Sequence, residues 1–287
     1  ISYKRCLSLG LILDAEGKKM SKSKGNIVDP WDHFNREGAD ATRWYMVTAG
    51  APWSPLKFDP NGVRETYAKL FLTIWNVYKF HADYAAIDGF DPEISTSEVS
   101  SRPSLDRWIL YRLATTARNY HSDFKSWNFH KACRDLEDFI VNDVSNWYVR
   151  RSRRRLWDDA ETTDKVACQH TLHEILTTVC RLIAPVSPFM VDTIHRNLTG
   201  ETVHQAAWPL GVPGSLEGAT ADRWDEDAAA ETENLPPQDT TLETTMALVR
   251  ELAEVGRRIR VEAKRRQRLP CSQGWIVSGT DMEEFHD

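Results

Sequence analysis

The feature that most constrains the fold is one long stretch in which apolar residues recur at helical spacing. Over residues 128–156 they fall mostly three or four positions apart, which places them on one face of an α-helix. A helix with one apolar face has to bury that face against other elements. The pattern therefore predicts a helix of a bundle, with a core row formed by Phe129, Ala132, Cys133, Leu136, Phe139, Ile140, Val144, Trp147 and Tyr148.

Further helices are predicted over residues 63–85, 103–120, 163–184 and 188–197. Two of them begin with a favourable start signal, a capping side chain followed by proline, at Asp59-Pro60 and Ser187-Pro188. Because the connections are short, consecutive helices are expected to pack as neighbours. The predicted fold class is mainly α, with residues 59–210 forming one helical bundle that ends in an extended segment after Gly200.

Residues 1–58 are predicted to form a strand-loop-helix connector ahead of the bundle. An apolar stretch over residues 6–13 indicates a strand, and the polar residues 18–26 indicate an exposed loop. Asp29-Pro30 is a helix start like the two above, and Gly38 separates a helix over 30–37 from another over 40–48. Prolines then interrupt the chain before residue 60.

The C-terminal part of the chain is predicted to be a linker followed by the beginning of another module. Residues 211–240 are rich in acidic residues, proline, glycine and alanine and have no helical or strand period, as is typical of a linker. Residues 242–268 again indicate a helix and residues 275–277 a strand, so 241–287 read as the start of a C-terminal module. Since the chain also begins without methionine, we expect it to be part of a longer polypeptide.

Charge is unevenly distributed along the chain, which has a formal net charge of -6. Acidic residues concentrate in 217–243 and basic residues in 150–155 and 257–268, and a polyanion responds to the field of one face. As an alternative to RNA binding, arginines near a helix C-terminus can simply interact favourably with the helix dipole. The basic run over 257–268 can likewise be an exposed helix face. The candidate RNA-contacting residues are Arg150, Arg151, Arg153, Arg154, Arg155, Arg258 and Arg265.

Several classes of protein are disfavoured by the composition. No apolar run approaches the roughly 20 residues that a membrane helix needs, and no signal peptide begins the chain. The five cysteines form no CxxC pair, so neither a zinc site nor a redox pair is expected and no metal site is predicted. Reduced cysteines are typical of a cytoplasmic protein, which is the predicted localisation.

The segment that carries chemistry is Lys19-Met20-Ser21-Lys22-Ser23, followed by Lys24 and Gly25. Ammonium groups act as point charges on phosphate oxygens, and serine hydroxyls and loop amides add hydrogen bonds. A mobile loop of this kind can close on a nucleotide and later release the product. The alternative is a solvated, lysine-rich turn without a ligand.

In its context between a strand and a helix, this pentapeptide resembles the second signature of class I aminoacyl-tRNA synthetases. Residues 38–45 resemble the helix that follows this loop in the isoleucine, valine and leucine group, and residues 203–209 resemble the end of that group's anticodon-binding domain. Residues 53–58, 75–78 and 143–155 favour the isoleucine member. The resemblance covers residues 1–210 and is weaker over 249–270.

This resemblance implies an enzyme that activates isoleucine with ATP and Mg²⁺ and attaches it to tRNA. It implies that Lys22 and Lys19 are catalytic, holding the phosphates of ATP as pyrophosphate leaves, with Ser21 and Ser23 in support. The family's His-x-Gly-His signature, amino-acid pocket and editing domain do not occur in these residues. We therefore expect the chain alone to be inactive and to hold no ATP, while binding tRNA weakly. Valine or leucine synthetases and a non-catalytic RNA-binding module are the alternatives.

Overall fold

The structure, a computed structural model, describes residues 6–93, 98–157, 162–209 and 240–266. Contacts divide the chain into two compact units, Ile1–Pro236 and Pro237–Asp287. Connector and bundle belong to the first unit, so a domain division at residue 58 stays a prediction. The predicted linker, apart from its last residue, and the predicted strand at 275–277 lie outside the described residues.

The connector contains one small parallel sheet. Strand β1, Ile12–Leu13, pairs with β2, Leu56–Lys57. The prediction of a strand over residues 6–13 was therefore too long. The partner segment contains Pro52 and Pro55, and proline has no N–H with which to extend a ladder. Gly10 still donates a hydrogen bond to the Pro52 carbonyl at 2.8 Å, and a Cβ at Gly10 would overlap the backbone of Ser54.

Helices α1, Pro30–Arg36, and α2, Ala39–Thr48, follow the loop as predicted. The Asp29 carboxylate accepts a hydrogen bond from the Trp31 N–H at 3.0 Å, so the predicted cap at the start of α1 is confirmed.

The bundle helices also lie where the spacing predicts them. They are α3, Pro60–Thr66; α4, Leu72–Asp88; α5, Ser104–Lys125; α6, Phe129–Asp138; α7, Arg150–Trp157; α8, Thr163–Ile183; and α9, Pro188–Thr199. Two π-helical segments make α3 continuous with α4 and α6 continuous with α7, at Tyr67–Phe71 and Phe139–Val149. The sequence did not predict these wider turns.

The core is built from the predicted apolar rows. Trp147 and Tyr148 are 6% and 0% exposed, which confirms their predicted packing role. The largest fully buried side chains include Trp44, Trp108, Tyr120 and Phe139. Trp44 belongs to α2 of the connector, so connector and bundle share this interior.

Helix α2 is fastened to the bundle along its whole length. At its N-terminus the Asp40 carboxylate accepts hydrogen bonds from the N–H groups of Phe189 and Met190, at 3.1 and 2.7 Å, where α9 begins. In the middle Trp44 Nε1 donates to Glu137 at 3.0 Å, and at the C-terminus Arg134 Nε donates to the Thr48 carbonyl at 2.7 Å. The connector, which carries the lysine loop, is thereby held against the helical bundle.

The segment after Gly200 is not fully extended, because a short 3₁₀ turn, Val203–Gln205, interrupts it. Asp192 of α9 holds this turn by accepting from the Thr202 hydroxyl at 2.6 Å and from the Val203 N–H at 2.9 Å.

In the second unit the described residues form helix α10, Thr240–Glu262, which confirms the predicted helix with a shorter C-terminal end. None of the helices in the described ranges is long and apolar enough to cross a bilayer.

Candidate phosphate-binding loop and RNA-binding face

The lysine-rich loop ends in a short 3₁₀ turn, Lys22–Lys24, which closes on Gly25. Gly25 has a φ of 67°, a left-handed conformation that favours glycine, and its N–H donates to the Lys22 carbonyl at 3.2 Å. The glycine expected near the end of the loop therefore has a defined conformational role.

Asp14 and Asn26 tie the two ends of this loop together. Asp14 accepts from the Lys18 N–H at 2.6 Å and from Asn26 Nδ2 at 2.7 Å. Asn26 Oδ1 also accepts a hydrogen bond from the Ser21 N–H at 2.9 Å, and Asn26 Nδ2 donates to the Lys19 carbonyl at 3.3 Å. The hydrogen bond from Asn26, followed by that from the Lys18 backbone, lowers the pKa of Asp14. We call Asp14 and Asn26 the loop clasp.

The loop leaves its positive charges uncompensated. Lys19, Lys22 and Lys24 are exposed, and none of the ion pairs among the described residues includes them. The hydroxyl groups of Ser21 and Ser23 are 3.3 Å apart. Uncompensated ammonium groups beside hydroxyl donors suit a phosphate chain, and the candidate residues form one local group with this chemistry.

Behind the loop lies an apolar cavity of about 620 Å³. Met20 of the loop lines it together with Phe34 of α1, Met46 of α2 and Phe58. The loop therefore combines an apolar residue that faces the connector with lysines that are exposed to solvent.

The arginine run of α7 divides into two parts. Arg150, Arg151, Arg153 and Arg154 are exposed, and no carboxylate among the described residues pairs with them. The Arg151 guanidinium lies 4.5 Å from the centre of the Trp147 ring. These arginines remain available to phosphates.

Arg155 is different because its donors are already used within the bundle. It donates to both carboxylate oxygens of Asp106 at 2.6 and 2.7 Å, and to Asp164 at 2.9 Å. Asp106 is fully buried and also accepts from the Tyr148 hydroxyl at 2.8 Å, while burial raises the pKa of Tyr148. Arg155 is therefore not available to RNA, and the RNA-contacting candidates that remain on α7 are Arg150, Arg151, Arg153 and Arg154.

A sequence signal for this role of Arg155 was present. Arg155 lies seven residues after the buried Tyr148, which places it on the same helical face. The loop clasp had a weaker signal, since Asp and Asn side chains commonly bond to nearby backbone in turns.

The remaining candidate arginines belong to the second unit. Arg258 is exposed on α10, and Arg265 is exposed just beyond its end. Within the described ranges, no three His, Cys, Asp or Glu side chains are grouped as metal ligands.

Comparison with known families agrees with this geometry. Residues 106–273 match the family described as the anticodon-binding domain of tRNA ligase, and residues 1–56 match tRNA synthetases class I (I, L, M and V). The two matches cover the helical bundle and the lysine-rich loop, and together they indicate the class of protein, the class I aminoacyl-tRNA synthetases. The chain belongs to the family of tRNA ligases that carry this anticodon-binding domain, because that match covers more than half of it.

Curated relatives extend the similarity beyond the family models. An isoleucine–tRNA ligase of Clostridium novyi is 38% identical over 99% of this chain and 26% of its own length. One from Porphyromonas gingivalis is 45% identical over 72% of this chain and 18% of its own length. The chain therefore spans about a quarter of the length of the first of these relatives, and the predicted resemblance to isoleucine enzymes is confirmed.

Solved structures support the predicted fold. The LeuRS–tRNA–LeuAMS complex of Agrobacterium radiobacter K84 aligns with a TM-score of 0.56 at 21% identity, covering 74% of this chain and 24% of that one. Mycobacterium tuberculosis methionyl-tRNA synthetase aligns with a TM-score of 0.57 at 22% identity, covering 69% and 39%. At these identities the likeness concerns the fold alone.

Proposed function

We propose that this chain is the loop-bearing and tRNA-binding part of an isoleucine–tRNA ligase. The whole enzyme would activate isoleucine with ATP and transfer it to its tRNA. The observation that carries the proposal is the uncompensated lysine loop, on a chain that is similar to an isoleucine–tRNA ligase over 99% of its residues.

In the proposed reaction the amino-acid carboxylate attacks the α-phosphorus of ATP and pyrophosphate leaves. Negative charge then grows on the departing phosphates, and cations placed there stabilise the transition state more than the ground state. Lys22, at the start of the 3₁₀ turn, and Lys19, beside the loop clasp, would make these contacts. Ser21 and Ser23 would donate hydrogen bonds to phosphate oxygens, and Mg²⁺ would arrive bound to ATP.

The tRNA contact would be made by the exposed arginines. Guanidinium groups bind phosphate oxygens in a bidentate manner, and those of Arg150, Arg151, Arg153 and Arg154 have no competing carboxylate among the described residues. Arg258 and Arg265 would contribute from the second unit. Asp158 and Asp159 follow α7 in the sequence, so the local net charge is smaller than the number of arginines suggests.

A cytoplasmic location suits the thiols of the chain. Cys133, Cys168 and Cys180 are free and buried, and burial raises the pKa of the Cys133 thiol to about 12. Thiols that stay reduced are typical of a reducing compartment.

Amino-acid-dependent exchange of pyrophosphate into ATP tests the proposal directly. It should be measured with a polypeptide that contains this chain and is completed to the length of its relatives. Isoleucine should support exchange better than valine or leucine under the same conditions. Exchange supported best by valine or leucine would move the chain to that synthetase. Complete lack of exchange, with tRNA binding retained, would leave only an RNA-binding module.

A further inference from the structure

We propose that Trp157 is a base-stacking residue that completes the arginine face of α7 and binds an unpaired base of the RNA. The inference rests on the proposed tRNA binding and assigns a separate chemical role within it. Trp157 is the last residue of α7 and its side chain is 59% exposed.

The spacing within α7 places Trp157 among the exposed arginines. Counted from Arg150, the next members lie three, four and seven positions later, which places them on one side of the helix. They are Arg153, Arg154 and Trp157. Ser152 and Leu156 are buried on the other side. We call Arg150, Arg153, Arg154 and Trp157 the arginine–tryptophan face.

Trp157 also differs from the other exposed tryptophans. The ring of Trp31 packs on Phe34, and that of Trp53 on His130. The ring of Trp75 packs on Tyr78. No aromatic ring contacts Trp157 within the described part of the chain. Its indole is therefore more than half exposed, and it shares a side of α7 with guanidinium groups that have no carboxylate partner among the described residues.

This combination of groups selects the ligand. Guanidinium groups bind the phosphates of any nucleic acid, but an aromatic ring can stack only on a base that is not already stacked inside a duplex. The arginine–tryptophan face is therefore suited to a single-stranded loop, with arginines on its phosphates and Trp157 on one base.

The two kinds of contact have different salt dependence. Each phosphate contact releases counterions and adds to the slope of log affinity against log salt concentration. Stacking releases no such ions, so the loss of Trp157 should weaken binding equally at every salt concentration.

The experiment uses the 287-residue chain with two RNA probes. One is a stem–loop with the sequence of an isoleucine-tRNA anticodon arm, and the other is its stem alone as a continuous duplex. Trp157→Ala should weaken binding of the stem–loop by roughly 5- to 150-fold, the range expected for one stacked base. In this variant the salt slope of stem–loop binding and the affinity for the duplex should both stay at their wild-type values. Trp157→Tyr should restore most of the affinity, and Trp53→Ala, at an exposed tryptophan of the connector, is the matched control.

The outcomes separate this inference from the proposed function. Steep salt-dependent binding by the wild type, together with a neutral Trp157→Ala, overturns the stacking role and leaves tRNA binding intact. Absence of salt-dependent binding by the wild type overturns both. An equal loss of affinity for stem–loop and duplex also overturns the inference, because it would show that Trp157 does not select an unpaired base. Unchanged thermal unfolding of Trp157→Ala excludes a loss of fold as the cause.

Discussion

Replacing Arg155 with alanine removes the cation from the most buried carboxylate of the bundle. Asp106 is 0% exposed and Arg155 is 14% exposed, so the pair lies close to the fully buried limit. The variant leaves the Asp106 charge with the Tyr148 hydroxyl as its remaining partner and also removes the contacts to Asp164. Breaking a buried pair from one side typically costs about 3–5 kcal/mol. We expect a loss of that size in the free energy of unfolding.

The neighbouring arginine provides the matched control. Arg154 is exposed and has no carboxylate partner among the described residues, so Arg154→Ala should change the free energy of unfolding by less than about 0.5 kcal/mol. Urea unfolding should show the difference as a shift of the midpoint with an unchanged m value.

A double variant tests whether the pair acts as a unit. Asp106→Asn combined with Arg155→Ala should cost less than the sum of the two single changes, because Arg155→Ala alone leaves the buried Asp106 charge without its cation and the double variant does not. In RNA binding the order of the two single variants should be reversed, with the larger effect in Arg154→Ala. Arg154→Ala should flatten the salt slope by about 0.7–0.9, whereas folded Arg155→Ala should keep the wild-type slope. If Arg155→Ala is as stable as wild type and flattens the slope as much as Arg154→Ala, Arg155 is not a structural partner of Asp106 but a phosphate contact.

Three further variants test a buried histidine, the loop clasp and the contact between α2 and α9. Burial, followed by the neighbouring histidines, lowers the pKa of His81 from 6.5 to about 3, so the unfolded chain binds more protons below pH 6.5. The lowered pKa therefore leaves the free energy of unfolding unchanged above pH 6.5 and reduces it by about 2 kcal/mol at pH 5. Urea unfolding should show that the free energy of unfolding falls less between pH 8 and pH 5 in His81→Phe than in wild type. An identical decrease would contradict the lowered pKa of His81. Asn26→Ala opens the loop clasp and should speed tryptic cleavage after Lys22, and an unchanged rate would argue against the clasp. Asp40→Ala removes the carboxylate that accepts from the first N–H groups of α9, as a capping side chain does, and should cost about 1–2 kcal/mol in unfolding experiments. A neutral effect would contradict a stabilising role for these two hydrogen bonds.

The helices were predictable because their signals are local. Capping residues at Asp29 and Asp59 and apolar rows at helical spacing act within a few positions of the chain. The strand was overestimated because its length depends on a partner segment about 44 residues away in the chain, at Leu56, where prolines end the pairing. The π-helical segments had no signal, since apolar residues at Phe139, Val144 and Tyr148 suit either kind of turn.

The candidate site was predictable in part. The lysines of the loop form a contiguous motif, so the sequence alone identified them. The loop clasp joins side chains at Asp14 and Asn26 through hydrogen bonds, and composition does not reveal such a pairing. The spacing from Tyr148 indicates only that Arg155 shares the buried face of its helix, and its carboxylate partner Asp106 lies 49 residues earlier in the chain. Long-range polar pairs of this kind become visible only when the helices are packed.

The role of the lysine loop in catalysis can be measured at Lys22. In the polypeptide completed to the length of its relatives, isoleucine-dependent pyrophosphate exchange should be compared for wild type, Lys22→Ala and Lys24→Ala. Lys22→Ala should lower kcat by about 10²–10³-fold, as for other groups that stabilise developing charge, while Lys24→Ala should change it little. Equal and near wild-type exchange by both variants would contradict the claim that this loop holds the phosphates of ATP during the reaction.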